Sequence, residues 1–331
     1  MKAKYIGFYV AILTCLALSL SSWLVAQISQ PPLPLKSTTP GVKAHIEKAK
    51  KIAGTEWAQA AHYFCEAPYP DAASDPIIEP VKIFDNVYGI GNAGLVAYVI
   101  STSDGLIMID SLRPNFIETQ LLPGFKRLGL DPAKVRMILI THGHADHFGG
   151  AAYFQQHYGT HVYISQGDWD LMERPADRRG GGNPVEIPKH DRVINEGQPI
   201  ILGEEKIIPV AAGPHTPGSM GFIFPVKDNG KPHMAALFGS ILLVTSGTSD
   251  EGMQTHLKVI EHYKEETSKA KVDVELQNHP LFDNFTVKLA KLQNRKPGEA
   301  NPFIVGQEGY IKFLDVMYEC MEADVDRRAG K

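Results

Sequence analysis

Six consecutive residues, His142-Gly143-His144-Ala145-Asp146-His147, hold three imidazoles and a carboxylate. These are the ligands Zn2+ takes, commonly four in a tetrahedron, with one position left to water where the site is catalytic. Packing such side chains together without a metal would leave polar groups buried at a cost. His142 and His144, two apart in extended chain, face one way. Asp146 and His147 are adjacent and, in a turn, can point to a second metal. One hexapeptide cannot complete two metal shells, so other ligands are needed. His215 stands in Gly213-Pro214-His215-Thr216-Pro217-Gly218-Ser219 and His279 in Gln277-Asn278-His279-Pro280, each a turn-rich stretch after an apolar run. Loops pinned by Pro and Gly at strand ends suit a rigid metal site. His45, His62, His157, His161, His190, His233, His256 and His262 have no paired-ligand context and read as surface or satisfied core residues.

Elements that could hold these loops are legible around them. Val135–Ile140, fully apolar, reads as a buried strand feeding the hexapeptide. Short β-type runs at Val81–Phe84, Val87–Ile90, Leu95–Ser101 and Leu106–Asp110 precede it, with a helical stretch at 116–128 between. Gly149-Gly150 allows tight packing before a helix ending at Tyr158. Strands are expected again at 161–164, 200–202, 207–211, 221–226, 234–238 and 272–276, and helices at 252–269, 285–294 and 308–323. Strands followed by helices, twice over, point to two β-rich layers flanked by helices. Residues 42–65 have apolar positions at helical spacing. Residues 174–190 form a Gly/Pro/Arg-rich loop containing Arg178, Arg179 and Asn183, and so irregular a loop is more often functional than structural.

The N-terminus follows a separate logic. Lys2 and Lys4 precede an apolar run to about Leu20, with a small residue at Ala26. This describes a secretory signal peptide over 1–26, with a membrane anchor as the alternative. Four prolines in 27–40 mark a linker, so 27–78 reads as linker plus helical arm and 79–331 as the main domain with its C-terminal helix. Export makes the chain periplasmic or secreted. No later segment is apolar enough to span a membrane. Removing 1–26 leaves Cys65 and Cys320, which either bridge the arm to the C-terminal helix or remain separate thiols; sequence gives no distance between them. A net charge of −4, from 33 basic and 37 acidic side chains, argues against a nucleic-acid partner. Oligomeric state is not written in the sequence.

The HxHxDH motif at 142–147, the Ile138–Thr141 strand and Gly149-Gly150 resemble the metallo-β-lactamase fold superfamily. Over about residues 79–295 the chain is most similar to the subclass B3 metallo-β-lactamases. The resemblance implies an α/β fold, an αββα sandwich of two mixed sheets flanked by helices, and a cofactor of two Zn2+ per chain. Carried over residue by residue, it puts His142, His144 and His215 on the first zinc and Asp146, His147 and His279 on the second. Asp110 falls where the family has an aspartate beneath the ligands. Ser240 falls where B3 enzymes carry a serine; other branches have a bridging Asp or a metal-binding Cys near there, which argues against glyoxalase II-like, lactonase-like and flavodiiron-like readings.

The activity so implied is opening of a β-lactam ring by a zinc-bound hydroxide, on a small-molecule substrate. Asp146 would orient the nucleophile, and Ser240, Asn183, Arg178 and Arg179 are candidate contacts for the substrate carboxylate. Three departures stand out. Gly239 replaces an Asp common in B3 enzymes, Leu242 replaces a second Ser of some, and Pro214 replaces a Gly before the third histidine. They leave the metal chemistry intact but thin the carboxylate contacts. Two other readings follow: a dizinc hydrolase acting on another ester, lactone or amide, and a non-catalytic zinc-binding envelope protein.

Overall fold

Two mixed sheets lie face to face in the computed structural model, which describes residues 39–67, 75–174, 179–180, 183–241 and 248–331. The first contains β1 (Val81–Lys82), β2 (Val87–Asn92), β3 (Leu95–Thr102), β4 (Gly105–Ile109), β5 (Val135–Leu139), β6 (His161–Ser165) and β9 (Arg192–Ile194), in that order. Pairing is antiparallel from β1 to β4 and parallel from β4 to β9. Between β6 and β9 the ribbon β7 (Arg179–Gly180) and β8 (Asn183–Pro184) pairs on its own. The second sheet orders β10 (Ile200–Leu202), β11 (Glu205–Ala211), β12 (Met220–Asp228), β13 (Lys231–Leu237) and β14 (Val274–Glu275), antiparallel except for the last pair.

Side-chain alternation along the strands builds three apolar layers. Val96, Tyr98 and Ile100 of β3 face Phe222, Phe224 and Val226 of β12 between the sheets. Leu95, Ala97 and Val99 point the other way, toward α3 (Leu122–Arg127), α5 (Ala151–Tyr158) and α6 (Gln166–Glu173), where Phe125, Phe154 and Trp169 are buried. The outer face of the second sheet, with Ile223, Ala236 and Phe238, is covered by α1 (Pro40–Ala53), α7 (Asp250–Lys269) and α9 (Gly306–Ala329). Both faces of each sheet are therefore covered, and this is why the central strands read as unbroken apolar runs. The arrangement is the expected αββα sandwich. α8 (Phe285–Gln293) follows the His279 loop.

Several element boundaries differ from expectation. The helical run over 42–65 breaks at Gly54, whose φ of 54° ends α1, and resumes at α2 (Ala58–Ala61) and a wide turn to Glu66. The 116–128 helix is a wide turn over Ile117–Leu121 before α3, because Pro123 has no N–H to donate. Val81–Phe84 pairs only at its first two residues, and 272–276 only at Val274–Glu275. α9 runs six residues beyond its expected end, to Ala329. Cys65 and Cys320 are buried and joined by a disulfide, Cα to Cα 4.6 Å, which fixes the arm to α9. The expected signal segment, the first part of the linker, Arg178 and Leu242 lie outside the described residues. No helix among the described residues is long and apolar enough to cross a membrane.

Candidate metal centre

The centre sits where the parallel strands of the first sheet end. Beyond β5, Thr141 gives its backbone N–H and its hydroxyl to Asp110, at 2.8 and 2.9–3.0 Å. Asp110 stands just past β4 with a φ of 59°, a conformation Asp tolerates better than most residues. Its carboxylate is 1% exposed and also accepts from His147 Nδ1 at 2.7 Å and Asn278 Nδ2 at 3.0 Å. One buried carboxylate thus ties the end of β4, the hexapeptide and the residue before His279 together. Asp146 and His147 lie on a single helical turn, α4 (Ala145–Phe148), whereas His142 and His144 lie in the bent segment before it, with His144 itself extended.

The hydrogen bonds set which imidazole nitrogen is free. His142 Nδ1 meets the Gly239 carbonyl at 2.9 Å, and His279 Nδ1 meets that of Gly94 at 3.1 Å. A carbonyl only accepts, so in both rings Nδ1 carries the hydrogen and Nε2 presents a lone pair. The Nε2 atoms of His142 and His147 are buried with no hydrogen-bond partner. Such orphaned acceptors are uncommon unless an ion fills the gap. His215 Nε2 lies 3.0 Å from His144 Nδ1. Two nitrogens each ~2.0 Å from one tetrahedral zinc would be about 3.3 Å apart, so the spacing suits a shared ion. Donor atoms of His142, His144 and His215 form one group within 4.8 Å, and those of Asp146, His147 and His279 form another. Among the described residues no other His, Cys, Asp or Glu set forms such a group. The donors present therefore fit zinc.

Electrostatics favours the ligating form at His142, His215, His279 and Asp146, and works against it at His147. Burial, with repulsion from neighbouring imidazoles, holds His142 well below the usual histidine range, His215 down to about 3 and His279 down to about 4. All three are neutral at pH 7, as metal binding requires. Burial would raise Asp146, but His147, His279 and Arg113 outweigh it and hold the carboxyl well below its usual range, so it stays ionised. Burial likewise works against a proton on His147, and Asp146 and Asp110 overcome it, raising that ring.

Of the remaining predicted residues, Ser240 lies just beyond β13. It is 2% exposed, and its hydroxyl donates to the Ala212 carbonyl, tying the end of β13 to the chain entering the His215 loop. Its hydroxyl is thus held inside the protein by a backbone carbonyl. A Cβ at Gly239 would come within 2.8 Å of Thr141 Cβ and far closer to the Met220 carbonyl, so an Asp there would displace the strand that receives His142. The β7 backbone, with Arg179, runs beside α4, and Asn183 lies opposite on β8. His256 is a satisfied core histidine, bonded to the Gly213 carbonyl at 3.1 Å.

Sequence reading missed three contributors. Arg113 lies 3.9 Å from Asp146, Asn278 bonds Asp110, and Asp168 bonds Gly143. Only Asn278, adjacent to His279, carried any signal. Arg113 and Asp168 reach the site by folding alone.

Comparison with known proteins agrees with this geometry. Residues 89–228 match the family model of the metallo-β-lactamase superfamily. Among solved structures, BJP-1, a subclass B3 metallo-β-lactamase of Bradyrhizobium japonicum, is similar at 28% identity with a TM-score of 0.64, covering 78% of this chain and 95% of that one. A β-lactamase from Chitinophaga pinensis gives 26% and 0.61 over 78% and 98%. The FEZ-1 metallo-β-lactamase of Legionella gormanii shares the fold at 21% identity, with a TM-score of 0.68 over 80% and 100%. A curated relative, the hydroxyacylglutathione hydrolase GloC of Haemophilus influenzae, is 32% identical over 94 residues. That match takes in 27% of this chain and spans under half, 44%, of the relative. The chain thus carries a metallo-β-lactamase superfamily match over residues 89–228 and a fold similar to that of subclass B3 metallo-β-lactamase structures.

Proposed function

We propose that this chain is an exported β-lactamase of subclass B3 type that works with two zinc ions. The observation that carries the reading is the pair of adjacent donor groups with buried, unpartnered Nε2 atoms, set in a fold shared with B3 β-lactamases. His142, His144 and His215 would hold one ion, and Asp146, His147 and His279 the other. Bound zinc supplies Lewis acidity and a water acidic enough to ionise near neutral pH. The chain's own residues do the rest. Asp110 holds the hydrogen on His147 Nδ1 and so keeps Nε2 turned to the centre. Asp146, ionised throughout the neutral range, accepts a hydrogen bond from water and orients it for attack on a carbonyl. The β7 backbone of the 174–190 loop runs beside α4, which supports Arg178, Arg179 and Asn183 as the candidate contacts for the substrate carboxylate.

A second reading has its own support. Ser240 turned inward and the crowded backbone at Gly239 leave few groups to recognise a β-lactam carboxylate, and a curated relative is a hydroxyacylglutathione hydrolase. In that reading the same centre cleaves another ester, lactone or amide, with thioesters included.

The test is turnover of a penicillin, a cephalosporin and a carbapenem against a lactone, an aryl ester and a hydroxyacyl-glutathione thioester. β-Lactam turnover should dominate, fall at least 1,000-fold (roughly 4 kcal/mol) on chelation, and return with zinc. Turnover confined to the thioester, lactone or ester would replace the first reading with the second. Export with loss of 1–26 is checked by the N-terminal mass of protein recovered from the cell envelope.

A further inference from the structure

The first donor group is assembled from two loops far apart in the chain. His142 and His144 follow β5, and His215 follows β11. Asp168, which belongs to neither loop, joins them. Its side chain is fully buried. Oδ2 accepts the Gly143 N–H at 2.9 Å and the Thr216 hydroxyl at 2.7 Å, and Oδ1 accepts the Gly218 N–H at 3.0 Å. Gly143 lies between two of the ligands and Thr216 directly follows the third.

Asp168 is itself held in place. It is the third residue of α6, and its backbone N–H meets the Oγ of Ser165, the residue that caps the helix. Both loops rest directly on this first turn. A Cβ on Gly218 would lie 2.8 Å from the Asp168 nitrogen, and one on Gly143 would lie 3.1 Å from the Asp168 carbonyl. Thr216 is braced in turn by Ser219, hydroxyl to hydroxyl 2.6 Å.

We infer that Asp168 is a positioning residue that clamps loops 142–144 and 215–218 in register, so that His142, His144 and His215 converge on one ion. The inference rests on the metal reading above and goes beyond it to a residue that touches neither metal nor substrate. Three donors from two loops meet the two oxygens of one carboxylate. Asparagine, of the same shape, has one acceptor oxygen and would point an N–H2 at a backbone N–H. At least one of the three bonds is then replaced by a donor facing a donor.

The experiment uses His279→Ala, which disables the second group and leaves the first. Zinc affinity is measured by competition with a chromophoric chelator in this background, alone and combined with Asp168→Asn or Thr216→Val. Unfolding of the metal-free proteins is followed in parallel, and cobalt(II) is used in place of zinc for its visible spectrum. Asp168→Asn should weaken zinc binding about 10- to 100-fold, the usual cost of losing a partner behind the ligands. It should also lower the cobalt bands that mark tetrahedral nitrogen ligation. Thr216→Val removes one donor but keeps the carboxylate. It should weaken binding by roughly 10-fold, about one hydrogen bond to a charged group, and it carries the test if Asp168→Asn does not fold. Zinc affinity within threefold of the background, with only the unfolding midpoint lowered, would overturn the clamp while leaving the metal reading standing. Absence of zinc binding by His279→Ala itself would overturn both.

Discussion

The two donor groups share the motif but are built on different principles. His142, His144 and His215 are three imidazoles with no carboxylate among them, on chain that is partly open to solvent: His144 is exposed and His215 half-buried. Their support comes from behind, through Asp168 and the Gly239 carbonyl. Asp146, His147 and His279 include a carboxylate and two buried rings, and are held by Asp110 and Asn278, with the Arg113 guanidinium 3.9 Å from Asp146. As a metal site the first group would rely on loop geometry. The second would rely on charge, with a cation at its edge that opposes a metal. Neighbouring sites on one scaffold can therefore hold the same ion with different sensitivities.

Three measurements would break or sharpen this contrast, beginning with the largest effect. His256 supports the loop of the first group through Gly213, and burial lowers its pKa from 6.5 to about 4. Between those values the unfolded chain binds a proton that the folded protein refuses. The stability from a neutral His256 is thus complete above about pH 6.5 and lost as pH falls toward 4, by ~3 kcal/mol. Urea unfolding of the metal-free protein should show this decline, and His256→Gln should flatten it by that share. An unchanged slope would mean that the first group's frame does not depend on this histidine.

Asp110→Asn comes next. It leaves the shape but takes the charge from behind His147, and should weaken zinc at the second group by about 10- to 100-fold. The first group should change far less. Metal titration followed by mass spectrometry under native conditions separates the two steps, and equal weakening of both would remove the distinction drawn here.

The smallest effect belongs to Arg113→Met. Removing a cation beside Asp146 should tighten zinc at the second group by about fivefold, within the ~1 kcal/mol span of a partly exposed charge pair. Looser binding would show that Arg113 serves chiefly to aim the carboxylate.

Much of the centre was legible because ligand chemistry is local. Three imidazoles and a carboxylate in six residues announce a metal from any sequence, and His215 and His279 were marked by the turn residues around them. The strand before the motif was visible because a strand covered on both faces must be apolar throughout. Asp168 and Arg113 gave no such signal, since an isolated Asp or Arg has the same appearance on a solvated helix as under a metal site. For Ser240 the place in the motif order was legible, whereas its burial and the direction of its hydroxyl come from packing.

The sequence by itself determined which atoms could bind a metal and that apolar strands would carry them, because side-chain chemistry and strand periodicity are properties of the chain within a few residues. Only the tertiary structure decided that the Cys65 and Cys320 sulfurs meet, that position 239 has room for nothing larger than glycine, and that one buried carboxylate at 168 joins loops more than 70 residues apart. Those outcomes depend on how the two sheets and α6 pack on one another, and packing is a relation between distant segments that no single segment encodes.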